Sequence, residues 1–341
     1  MNTAKSHRIR ISMRLFLFIF VFSLHFTGLF GVSENRGAVV LTASAASARM
    51  PGLNARITQN NILKILNVYD SDGAYLLNNR IAAGDDVLTW FAGCSDILSG
   101  IDTAIHEETH IYSYAAEKNG RAAYFVGNQK TIYVPYTDVF PSVEMASSIP
   151  ASLRTFRYSA YIADAEEDLA SNADGIYGLL NEFMAYRSGM NTIVSLYDYL
   201  IDQDADWDTW MLFINECEND MQAYAEFKYY ILHYLYYAKQ NDPDVYKAII
   251  RNTQFCKAYK KLESSYAKVI RQYQKDLTKL QKYYTKKGYT LTIKDGSISL
   301  TTPEKRTTTI FRFYNTYLKL EKQLSKTRYT NLHNKLLSGV S

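Results

Sequence analysis

The stretch DTAIHEETHIYSYAAEK, residues 102–118, has the periodicity of a helix. Counted at roughly 100° per residue, Ile101, Ala104, Ile105, Tyr112 and Ala115 form one apolar stripe, and Asn119-Gly120 ends the run. His106 and His110 fall on the opposite side, one turn apart, where two imidazoles can hold one ion. Glu107, beside the first of them, points at the open position of such an ion and can take a proton from a water molecule there. Two imidazoles and one carboxylate suit Zn²⁺, one ion per chain, and leave a position for water. A helix with chemistry on one face and an apolar stripe on the other must be central. Glu108 falls in the middle of the stripe, so it needs either a buried partner, for which Arg187 is a candidate, or an exposed edge.

The third ligand is expected at Glu182. The run from Asp174 to Ile201 reads as a long helix with an apolar stripe of Ile176, Leu179, Leu180, Phe183, Met190, Val194 and Tyr197. Glu182 stands at the edge of that stripe, in line with Gly178, Ala185 and Gly189. A row of small residues lets a second helix come close enough for the carboxylate to reach both histidines. Asp164, Glu166 and Glu167 are rival ligands, in an acidic run with the character of a solvated face.

His106-Glu107-x-x-His110 followed by Asn181-Glu182-x-x-Ala185 resembles the gluzincin zinc metallopeptidases, whose third ligand is a Glu on a downstream helix. The likeness covers these two short motifs. It implies a zincin-like core, His106, His110 and Glu182 as metal ligands, Glu107 as general base, and a peptide or protein substrate. Some members carry an Asp four residues after the Glu ligand, which orients a histidine; this chain has Tyr186 there. No third histidine follows in the spacing of the metzincins.

Peptide hydrolysis also needs a donor to the oxyanion of the tetrahedral intermediate. Tyr158, Tyr161, Tyr177 and Tyr186 are close to Glu182 in sequence, and Tyr186 is the choice among the chain's 29 tyrosines. AAYFVGNQKTIYVPY, residues 122–136, reads as a β-hairpin turning at Gly127-Asn128, and its edge could receive an extended peptide.

Outward from these motifs, the chain has 341 residues, 47% of them hydrophobic and 21% charged, which excludes general disorder. Residues 1–48 hold five of the 38 basic residues and one of the 34 acidic ones, so the rest is balanced at 33 of each. A neutral body gives no electrostatic case for nucleic acid. Lys5–Arg14 is basic, Leu15–Val32 is apolar, and Ala43-x-Ala45 and Ala46-x-Ala48 fit signal-peptide cleavage. Residues 1–48 therefore read as a secretory signal, and the product as a secreted or cell-surface protein that meets the membrane only through this segment if it is uncleaved. Three cysteines, Cys94, Cys217 and Cys256, are too few for a disulfide framework.

The expected fold is α+β and predominantly helical: a zincin-like catalytic region over 49–205 and a helical C-terminal region over 206–341, with a hairpin near 289–300. Further expectations are a helix near 57–68, a turn at Asp70-Ser71-Asp72-Gly73, a helix from the Asp85-Asp86 cap to Leu98 ended by Gly100, a break at Asn241-Asp242-Pro243, and a last helix from Pro303 to Leu337. The tyrosine-rich stretch 225–240 and His233 read as core. Two other functions fit the same residues: a non-enzymatic surface or secreted binding protein with a structural or decayed metal site, and a zinc amidohydrolase acting on cell-wall material. Oligomeric state leaves no trace in the sequence.

Overall fold

The computed structural model describes residues 50–339; the signal segment expected at 1–48 lies outside them. Thr58 caps the first helix, α1 (Gln59–Tyr69), by accepting the Asn61 N–H at 3.2 Å. The stretch from Asp70 is not the expected turn. Asp70 alone has extended backbone, and α2 (Ser71–Ala82) starts at once. Its carboxylate is buried on Thr192 and Asn191, and Gly73 is small because a Cβ there would lie 2.5 Å from Asp70 Oδ2. The helix expected from Asp85-Asp86 shrinks to a 3-10 turn, Val87–Phe91. Gly100 does not terminate it; it lies inside α3 (Leu98–Ala116), where Phe91 and Cys94 pack directly onto its bare backbone.

Two antiparallel strands follow, β1 (Arg121–Phe125) and β2 (Thr131–Pro135), with Ala123 opposite Tyr133. Short helices α4 (Phe156–Tyr161) and α5 (Ala170–Ala173) lead to α6 (Ile176–Ser195). The long run expected to Ile201 is interrupted at Leu196, before α7 (Tyr197–Asp202). Next come α8 (Trp207–Asn241), α9 (Pro243–Arg251) and α10 (Thr253–Lys286). Asp206, Asp242 and Asn252 each accept a first-turn N–H of the helix they precede. The break at 241–243 occurs as read; the one at Asn252 has only that cap as its marker.

The C-terminal sheet has three strands, not two: β3 (Thr290–Lys294), β4 (Ser297–Thr301) and β5 (Thr307–Phe311), in that order. The segment TTTIF, expected as helix, pairs with β4, since Thr and Ile gain more on a pleated surface. Helices α11 (Tyr314–Leu324) and α12 (Thr327–Ser338) complete the chain. The fold is thus α+β and mostly α.

At the centre lie α3, α6 and α8. Every residue of α6 from Ile176 to Met190 is buried, so this helix has no solvent face at all. The hydrophobic core runs without a gap from Ile62 to Leu336, across residues 205 and 206. Among the described residues, no helix is long and apolar enough to cross a membrane.

Candidate metal centre

The central packing of α3 on α6 brings three side chains together. His106 Nε2 and His110 Nε2 are 3.1 Å apart, and Glu182 Oε2 lies 3.7 Å from the first and 3.4 Å from the second. All three residues are buried, and their nearest ligand atoms form a group that could hold a metal ion. Glu182 Oε2 has no hydrogen-bond partner, which is costly for a buried carboxylate that nothing else satisfies. Small residues do permit the close approach, but not as one row. Gly189 faces α3, where a Cβ would sit 2.1 Å from Asp102 Oδ1; Gly178 faces the backbone of Ala170 and Ser171 instead. Asp164, Glu166 and Glu167 are exposed on the loop before α5, away from this group.

A directed chain of hydrogen bonds orients His110. The Ser113 hydroxyl donates to the carbonyl of Ala123 on β1, so its oxygen is free to accept the Asn181 Nδ2–H at 2.8 Å. That fixes the Asn181 amide with Oδ1 toward His110, where it takes the Nδ1–H. The remaining nitrogen, Nε2, then faces Glu182 and His106. Sequence reading did not find Asn181 or Ser113 in this role; only the fold places them beside His110. Ser113→Ala is expected to free the amide to turn over and to weaken metal binding by about 10–100-fold. Ser113→Thr, which keeps the hydroxyl, should retain most of the affinity; competition with a chromophoric chelator measures both.

The protonation pattern follows from the same contacts. Burial, the His110 charge and Arg157 hold His106 well below its usual range, so it is neutral. Burial also disfavours charge on His110, but Glu182 outweighs it and holds this imidazole up at about 9. The proton that Glu182 draws to His110 is one that a bound cation would displace. Glu107, next to His106 on α3, is half-buried; burial pushes its carboxyl up to about 7, against the pull of His110.

Tyr186 packs its ring edge-on against His106 with centroids 4.4 Å apart, and its hydroxyl meets that of Tyr161 at 3.1 Å. The other two tyrosines point elsewhere: Tyr158 donates to Ala146 O, and Tyr177 serves Thr137 and Asn252. Under Tyr186 lies Arg157, which sequence reading passed over. It is buried, stands 4.6 Å over the Tyr186 ring, and is held by Glu226 at 2.9 Å and Asn219 at 2.8 Å.

Glu108 is buried as its stripe position requires, but Arg187 is not its partner. Trp90 Nε1 donates to Glu108 Oε1 at 2.7 Å, and Arg80 Nε stands 3.8 Å from Oε2. Arg187 instead faces Asp72, 3.8 Å away, whose carboxylate accepts the N–H groups of Asn128 and Gln129 and so fastens the hairpin turn to α2. His233 belongs to the core, between Ser148 and Tyr329, and burial lowers it to about 4. The three cysteines are free. No protein family, curated protein or solved structure matches this chain.

Proposed function

We propose that this protein is an exported, zinc-dependent metallopeptidase of the gluzincin type, built on a zincin-like core within residues 49–205. The observation that carries the reading is the spacing of the donors. Ligands about 2.0–2.1 Å from a tetrahedral ion stand roughly 3.3–3.4 Å from one another, and the three donor pairs here measure 3.1, 3.4 and 3.7 Å. Two imidazoles and one carboxylate, whose Oε2 is unpartnered, suit zinc with one position left over.

A bound Zn²⁺ would polarise the scissile carbonyl and make a water molecule acidic near neutral pH. Glu107 takes the proton of the attacking water and hands it to the leaving amine. Tyr186, whose ring packs against His106 and whose hydroxyl meets that of Tyr161, is our choice of donor to the developing oxyanion. Arg157 beneath the ring keeps the Tyr186 side chain in place. The intact base favours an enzyme over a structural metal site, because a structural site has no use for Glu107.

Purified protein lacking residues 1–48 is expected to carry about one Zn²⁺ per chain, and His106→Ala, His110→Ala and Glu182→Ala each to lose it. Elemental analysis alongside circular dichroism decides the matter. Wild-type protein that takes up no zinc near neutral pH while remaining folded would overturn the proposal.

A further inference from the structure

β2 keeps one edge open. Main-chain bonds from Val126 N to Lys130 O (2.8 Å) and from Tyr136 N to Gly120 O (3.3 Å) fix which pairs of the ribbon are bonded. Bonded and non-bonded pairs alternate along an antiparallel ladder, so Thr131 and Tyr133 turn their N–H and C=O groups away from β1. The outward groups of β1 are covered: Ser113 donates to Ala123 O, and the Phe125 N–H meets Met184 Sδ at 2.9 Å. On β2, the outward groups of Thr131 and Tyr133 have no partner among the described residues, and Asn252 closes the far end by donating to Pro135 O at 2.7 Å.

Beside this edge runs a groove of about 450 Å³, walled by β2 and by the first turns of α10. Its charged lining is basic. Arg121 and Lys257 stand on its walls and, among the described residues, neither pairs with a carboxylate; Lys118 Nζ lies 4.1 Å over the Tyr133 ring. Free main-chain groups on one side and cations along the walls specify an extended chain that carries carboxylates.

We propose that this groove docks an extended acidic peptide segment, which adds as a third strand to β2 while its side chains meet Arg121, Lys257 and Lys118. If the metallopeptidase reading holds, the segment belongs to the substrate and lies away from the scissile bond, because β1 stands between the groove and the ligand helices. Docking itself does not require the metal.

The experiment is fluorescence anisotropy on the Glu107→Gln protein lacking residues 1–48. The probe is a labelled eight-residue peptide alternating glutamate with threonine and valine. Saturable binding is expected, weakened at least 10-fold by Arg121→Glu with Lys257→Glu, weakened by added salt, and lost when alternate amides of the peptide that face β2 are N-methylated. Zinc content of the charge-reversed protein should not change. Equal binding of the same peptide with lysine for glutamate, insensitivity to N-methylation, or preferential binding of a thymidine oligonucleotide would each overturn the proposal. Docking without any peptidase activity in the wild type leaves the groove standing and sinks the metallopeptidase reading. Peptide cleavage with no effect of charge reversal on binding does the reverse.

Discussion

Glu107→Gln is expected to keep the proposed zinc and to lose hydrolysis by roughly 10²-fold or more. Glu107 follows His106 directly, so it is rotated about 100° from that residue, and in the proposed reading it serves the ion's open side rather than the ion. Its carboxyl is half-buried and is not hydrogen-bonded to either histidine. Burial, with Glu182 and Glu108 adding their repulsion, pushes it to about 7 although His110 pulls it down. A carboxylate at this place can accept a proton and release it again. The amide has the same shape and no such capacity. Metal content by elemental analysis, melting by circular dichroism and cleavage of a mixed peptide library, with a chelator-treated control, give the three readouts. Equal cleavage by the variant and the wild type would refute Glu107 as the base; loss of zinc in the variant would make it a ligand.

The His106 and His110 pair and its helix were legible because the chemistry and the local periodicity coincide in one short segment. Glu182 could be singled out for a related reason: a carboxylate among glycines and large apolar residues implies burial beside another helix. The relay from Ala123 through Ser113 and Asn181 to His110 was not legible, because it joins a strand and two helices up to 71 residues apart. The same holds for Trp90 and Arg80 on Glu108. A stripe position shows that a charge is buried; it does not show which loop turns inward to meet it. Errors in the fold came from segments where local preference was weak. Asp70 separates two helices with one residue, which a turn-rich tetrapeptide disguises. Thr307–Phe311 lacks the alternation of a half-buried strand, because β5 is an edge with three exposed threonines in a row. Gly100 was misread as a stop because its smallness serves Phe91 and Cys94, and packing of that kind has no local marker.

The protein is expected to lose stability as pH rises from about 5 to 9. Asp102 on α3 meets Glu216 and Asp220, one turn apart on α8, within hydrogen-bonding reach of both. Burial raises all three. Asp102 goes to about 6 despite the help of Asp220 and Arg157, Glu216 goes to about 8 with the Asp102 charge adding to the rise, and Asp220 goes well above the carboxylate range. Arg157 from α4 is the cation facing them, and it is already committed to Glu226; Tyr266 from α10 and Cys217 are the other titratable neighbours, both held neutral by burial. In the unfolded chain these carboxyls ionise near pH 4. Between that pH and about 8 the folded state binds more protons than the unfolded one, so stability falls throughout the window. Below it both states are protonated, and the penalty vanishes. His110 titrates in the same range, so the cluster is isolated by comparison with Glu216→Gln carrying Asp220→Asn, in the same metal state. The amides keep the shape and cannot ionise. The advantage of the double variant over the wild type should grow between pH 5 and pH 9 by at least about 1.4 kcal/mol, the worth of one pKa unit. Urea unfolding midpoints and slopes at pH 5, 7 and 9 provide the measurement. A difference between the two proteins that stays constant across those three values would show that the cluster carries no proton linkage, and that its carboxylates are already ionised against Arg157 at pH 5.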